Sequence, residues 1–206
     1  MSGWTFAEIW ETAAAQLPDA PFAKQGSRTV TWSEAERRAE GLATFLLDRG
    51  AQRQDKVAQY LYNCPEYLES VFACYKAALV PVNTNYRYAA DELVYLWDNA
   101  DAVAVIFHGI FADTIEAIRA RVPRVATWLW VDDGSGDCPE WATPYEQASG
   151  AAGQPVVDRV DRSGDDLYML YTGGTTGMPK GVMWRQDDLI VVLSSGLGLS
   201  VPETYD

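Results

Sequence analysis

Between Tyr171 and Val182 the chain reads Tyr-Thr-Gly-Gly-Thr-Thr-Gly-Met-Pro-Lys-Gly-Val, a run with four glycines, three threonine hydroxyls and one lysine. That mixture suits a polyanion. Glycines let main-chain N–H groups approach phosphate oxygens, hydroxyls donate further bonds, and a lysine supplies a mobile positive charge. The binding candidates are therefore Thr172, Gly173, Gly174, Thr175, Thr176, Gly177 and Lys180, with Lys180 also the catalytic candidate. Neither common phosphate pattern fits. Lys180-Gly181-Val182 stands where a Walker loop needs Gly-Lys-Ser/Thr, and Gly173, Gly174 and Gly177 lack the G-x-G-x-x-G spacing. A plain Gly/Thr hairpin with a solvated lysine would use the same residue types, and the length of the run weighs against it.

Other chemistry is sparsely provided. His108 is the sole histidine and has no nucleophile beside it in Phe107-His108-Gly109, so it reads as the end of a strand. Cys64, Cys74 and Cys138 show neither C-x-x-C spacing nor a nearby histidine, and are expected to be reduced structural thiols. Asp133-Gly-Ser-Gly-Asp137 opens like a calcium loop, but Cys138 and Pro144 occupy the places of the required glycine and glutamate, leaving a solvated turn. No metal ligand set is expected.

Strand and helix patterns must position the glycine-rich run. Thr5-Phe-Ala-Glu8 is a capping box before Phe6, Ile9, Trp10, Ala13 and Leu17 at helical spacing, which ends at Pro18. Phe22 to Gln25 and Arg28 to Trp32 flank Gly26-Ser27 as a hairpin, and Ser33-Glu-Ala-Glu36 reads as a second capping box for a helix reaching Gly50. Strand and helix then alternate: strand 56–62, helix 65–79, an extended piece at 80–82, helix 91–100, strand 103–107, a helix around 115–121 and strand 127–131. Residues 132–153 are mostly loop, with one helical turn near Tyr145-Glu-Gln147. An apolar strand from Asp165 to Tyr171 enters the glycine-rich run, and Val182-Met-Trp184 leaves it as another extended piece. Repeated strand–helix units predict an α/β fold, with mixed, largely parallel sheets flanked by helices on both faces.

Bulk properties narrow the partners. The formal charge is −13 with acidic residues dispersed, which disfavours nucleic acid. No basic leader precedes an apolar stretch, and residues 189–201 are too short and interrupted to span a bilayer, so a cytoplasmic protein is expected. The apolar run Leu189-Ile-Val-Val-Leu193 leads us to expect self-association of this chain, so a homo-oligomer is among its possible states.

The run from Tyr171 to Val182 resembles the phosphate-binding signature of the adenylate-forming superfamily: acyl-CoA synthetases, luciferases and the adenylation domains of peptide synthetases. Lys76-Ala-Ala-Leu-Val-Pro-Val-Asn83-Thr-Asn-Tyr-Arg87, followed by Asp91-Glu-Leu93, is similar to a segment of the acyl-CoA synthetase branch. The resemblance implies that residues 1–206 form the N-terminal part of the AMP-binding large domain. It implies ATP, Mg²⁺ and coenzyme A as cofactors and a carboxylic acid, fatty or bulky and lipid-like, as substrate. It also implies that ribose, metal and C-terminal lysine sites lie beyond Asp206, leaving this chain inactive by itself. Two positions depart from the pattern: Gly173 replaces a usual serine, and Gln186 stands where relatives often carry a histidine near the acyl pocket. The rival readings are a non-catalytic anion- or partner-binding module with a degenerate loop, and an unrelated NTPase.

Overall fold

The computed structural model describes residues 4–172 and 178–199. Helix α1 (Phe6–Gln16) starts at the expected capping box: Thr5 Oγ1 accepts the Glu8 N–H, and Glu8 Oε2 accepts the Thr5 N–H at 2.9 Å. Strands β1 (Pro21–Gln25) and β2 (Arg28–Thr31) form a two-stranded antiparallel hairpin. Helix α2 (Trp32–Asp48) follows at once, with Thr31 as its N-cap instead of Ser33. Thr31 Oγ1 accepts the Glu34 N–H, while the Ser33 hydroxyl pairs with that same Thr31 oxygen. The Trp32 ring packs edge-on against Phe22 and Trp10, which draws the helix start back to the end of the hairpin.

Strands β3 (Lys56–Tyr60), β4 (Val80–Asn83), β5 (Ala102–His108), β6 (Thr127–Val131), β7 (Thr143–Pro144), β8 (Leu167–Thr172) and β9 (Lys180–Arg185) make one sheet in the order β7-β6-β5-β3-β4-β8-β9. Every pairing is parallel except the last, β8 with β9. Because these pairings are parallel, the carboxyl ends of β3 to β8 share one edge, and the order departs from β3 in both directions. That is where ligands of open α/β sheets bind. Helix α3 (Pro65–Lys76) stops three residues earlier than its sequence pattern suggests, because Ala78 adopts φ +52°. The expected helix around residues 115–121 divides into α5 (Ala112–Ile118) and a 3₁₀ turn, and α4 spans Ala90–Asn99. Within the loop-rich 132–153 segment lie the short β7 and α6 (Tyr145–Ser149), and α7 (Gln186–Gly196) follows β9.

Two cores line the two sheet faces. One gathers Leu93, Leu96 and Trp97 of α4 and Ile115 and Ile118 of α5 against Val105, Phe107, Met169 and Tyr171. The other gathers Leu42 and Leu46 of α2, Phe72 of α3 and Tyr145 of α6 against Val57, Ile106 and Leu129. Full burial of each large apolar side chain is worth about 1.5–3 kcal/mol, so these faces dominate the sheet's stability. The helices outside the second core are tied by charge. Lys76, 2% exposed, places Nζ 2.7, 2.6 and 3.0 Å from Glu11 of α1 and Glu36 and Glu40 of α2, and Arg162 makes a two-pronged bond to Glu11.

Candidate nucleotide site

Strand β8 runs parallel to β4, so its carboxyl end reaches the shared edge of the sheet. Its last residue, Thr172, is in register with Lys180, the first residue of β9, and that pair closes the antiparallel ladder. Both side chains are exposed. Among the described residues Lys180 takes part in no ion pair, which leaves its ammonium available to an incoming anion. Gly173, Gly174, Thr175, Thr176 and Gly177 lie outside the described residues. The structure therefore brings two of the seven candidate residues, Thr172 and Lys180, to one place: opposite each other where the glycine-rich segment leaves and rejoins the sheet.

The base of this hairpin is tightly built. Tyr171, 5% exposed, donates its hydroxyl to Asn99 Oδ1 at 2.8 Å. Its ring lies against the main chain of Gly181, where an added Cβ would sit 3.0 Å from Cζ and 3.1 Å from Cε2. A methyl group at that distance would need the ring to shift by a few tenths of an ångström, so the tyrosine before the loop and the glycine after it are closely packed.

Gln186, the position where relatives often carry a histidine, opens α7. It is 1% exposed at the start of α7, its Oε1 accepts the Phe6 N–H at 3.0 Å, and its own N–H bonds Asp166 O. Its side-chain oxygen is thus committed to fastening α1. His108 ends β5 as expected, and its Nδ1 accepts the Tyr62 N–H at 3.0 Å. This hydrogen bond fixes the proton on Nε2 in the neutral ring. Burial lowers the His108 pKa despite the nearby Asp133 and Glu66 carboxylates. The three cysteines are free thiols, and burial pushes Cys64 up to about 12. Among the described residues no group of three or more His, Cys, Asp and Glu side chains could hold a metal, and no helix is long and apolar enough to cross a membrane. Asn83 and Asn99 escaped the sequence reading. Asn83 lies inside the Lys76–Arg87 stretch, yet 88 residues separate it from its contact, Tyr171.

An open, largely parallel sheet flanked by helices, with Thr172 and Lys180 opposite each other at its carboxyl edge, defines the α/β class of fold. Residues 10–202 match the model of the AMP-binding enzyme family, and the chain belongs to that family. It is 38% identical over 198 residues to a 3-oxocholest-4-en-26-oate–CoA ligase of Rhodococcus rhodochrous, an alignment covering 96% of this chain and 36% of that relative. It is 39% identical over 205 residues to a medium/long-chain-fatty-acid–CoA/3-oxocholest-4-en-26-oate–CoA ligase of Mycobacterium tuberculosis, covering 97% of this chain and 37% of the relative. The chain thus spans 36–37% of the length of these curated relatives. Among solved structures, the N-terminal domain of FACL13 from Mycobacterium tuberculosis superposes with a TM-score of 0.80 at 25% identity, over 100% of this chain and 50% of that one.

Proposed function

We propose that the complete polypeptide containing this chain is an AMP-forming acid–thiol ligase that converts a carboxylic acid into its coenzyme A thioester. The observation that carries the reading is the Thr172–Lys180 pair, which ends a tightly packed hairpin at the carboxyl edge of a parallel sheet. In the first half-reaction a carboxylate oxygen attacks the α-phosphorus of ATP and the bond to pyrophosphate breaks. In the second, the coenzyme A sulfur attacks the acyl carbon, AMP leaves with the bonding electrons, and the thiol proton is released.

Both steps depend on positioning and on offsetting charge at phosphate oxygens. Lys180 serves as the point charge on the departing pyrophosphate. The Thr172 hydroxyl, with those of Thr175 and Thr176 and the N–H groups of Gly173, Gly174 and Gly177, donates to the β- and γ-phosphates. Mg²⁺ would arrive with ATP, held by its phosphates, and would help offset their charge. The acid is read as fatty or bulky and lipid-like, a choice supported by relatives named for fatty-acid and oxocholestenoate ligation. The proposed place of action is the cytoplasm, where ATP and coenzyme A are available.

The test is a product analysis with a panel of medium-chain, long-chain and steroid carboxylic acids. AMP and pyrophosphate should form in step with thioester. ADP and phosphate, or nucleotide turnover indifferent to acid, would overturn the reading.

A further inference from the structure

Strand β8 carries the candidate site, yet a single ladder pair, Val82 with Met169, joins it to β4. Two residues further on, where the strand delivers Tyr171 and Thr172, a side chain takes the place of the missing main-chain pairing. Asn83 Oδ1 accepts the Tyr171 N–H at 2.9 Å, and Asn83 Nδ2 donates to the Tyr171 carbonyl at 3.3 Å. A carboxamide presents an acceptor and donors on two adjacent atoms, so it can satisfy both groups of a peptide residue at once, whereas an ionised carboxylate only accepts and an alkyl group does neither.

Asn83 is itself well placed. It is in register with Gln59 of the central strand β3, and the next residue, Thr84, bonds Gln59 O through its N–H and accepts from the Trp97 indole at 3.2 Å. Tyr171 is therefore held three ways: main chain by Asn83, hydroxyl by Asn99, and ring by Gly181. Tyr171 directly precedes Thr172 and Gly181 directly follows Lys180. Both members of the Thr172–Lys180 pair thus adjoin a clamped residue.

We propose that Asn83 is a positioning residue for the phosphate-binding hairpin: its carboxamide replaces the missing β4–β8 ladder bonds and so fixes where Thr172 and Lys180 stand. The proposal rests on the functional reading above for its consequence, and on geometry alone for the clamp. It makes Asn83 act in the nucleotide step and not in thiol transfer.

Two readouts separate the clamp from the function, both on the complete polypeptide. Hydrogen exchange at the Tyr171 amide reads the clamp without ligand. Asn83→Ala should speed it by about tenfold or more, because that donor loses its side-chain acceptor. Kinetics then read the consequence. Adenylate formation should fall about tenfold to a hundredfold with a raised KM for ATP, the range expected when reacting groups are displaced by about an ångström. Transfer from supplied acyl-adenylate to coenzyme A should stay within about twofold, since the clamped pair does not serve that step. Should the alanine variant fail to fold, Asn83→Asp retains the shape and the acceptor while losing the donor, and should show the same split on a smaller scale. Unchanged exchange at Tyr171, or an equal loss in both half-reactions, would overturn the proposal. A wild-type polypeptide that forms no adenylate would instead overturn the functional reading, and the exchange measurement would still decide the clamp.

Discussion

Lys76→Met isolates the charge at the centre of the three-carboxylate cluster, because methionine keeps an apolar stem against Phe72, whose ring centre lies 5.2 Å from Nζ. The lysine side chain is 3% exposed and the glutamates at 11, 36 and 40 are 28%, 32% and 33% exposed. Stripping one partner from a buried ion pair costs about 3–5 kcal/mol. The glutamates here keep part of their surface in water, and Arg162 still compensates Glu11, so the lower end applies, ~3 kcal/mol. For a chain of this size each kcal/mol moves Tm by about 2–4 °C, giving a drop of roughly 6–12 °C at pH 8. Burial, together with Glu11 and Glu40, raises the Glu36 carboxyl although Lys76 lowers it, and one Glu36 oxygen has no hydrogen-bond partner. A raised carboxyl favours the fold below its unfolded value and opposes it above its folded value. Without Lys76 that opposition grows, so the deficit should be larger at pH 8 than in acid, where protonation relieves a raised carboxyl. Adding Glu36→Gln should recover about 1 kcal/mol through loss of one like charge. Thermal melts of the wild type, Lys76→Met and the double variant at pH 8 and pH 5 decide the matter. A Tm within about 2 °C of wild type at pH 8, or a deficit that widens in acid, would refute the reasoning.

His108 contributes stability that is present above the ordinary histidine value and lost as pH falls through its lowered folded value, since protonation places a hydrogen where Nδ1 accepts the Tyr62 N–H. Melts of wild type and His108→Gln should therefore converge from pH 8 to pH 5. Gly181→Ala should cost about 1–3 kcal/mol by forcing its Cβ against the Tyr171 ring, and Tyr171→Phe should lose only the hydroxyl bond to Asn99, about 1 kcal/mol. Denaturant titration separates the two. Val182, Met183 and Trp184 on edge strand β9 and Val191, Val192 and Leu193 on α7 are exposed, so the 206-residue chain should self-associate in a concentration-dependent way by light scattering. Single-residue Val192→Lys and Trp184→Lys changes should reduce the association.

The alternation of apolar strand runs with amphipathic helices made the parallel sheet legible, because buried strands such as Val103 to Phe107 carry little else. Local side-chain chemistry was harder to place. The α2 cap moved from Ser33 to Thr31 because aromatic packing at Trp32 outweighed the box, and α3 stopped early because Ala78 takes a backbone conformation its residue type does not announce. At the site, the residue types in the 171–182 run raise the expectation of a phosphate loop, and register alone shows that Thr172 faces Lys180. Asn83 could not be read as a partner of Tyr171, since nothing in either local sequence encodes a contact across 88 residues. The commitment of Gln186 to Phe6, across 180 residues, was hidden for the same reason.

The most direct measurement is exchange of labelled pyrophosphate into ATP by the complete polypeptide, with a fatty or steroid acid present and coenzyme A absent. Acid-dependent exchange is expected if, as proposed, the adenylate forms before the thiol enters. Lys180→Ala should slow it by about a hundredfold or more, corresponding to ~3 kcal/mol for one lost electrostatic donor. The exposed lysine should leave the melting temperature unchanged. Exchange that ignores the acid, or that Lys180→Ala leaves near the wild-type rate in a folded protein, would contradict the account.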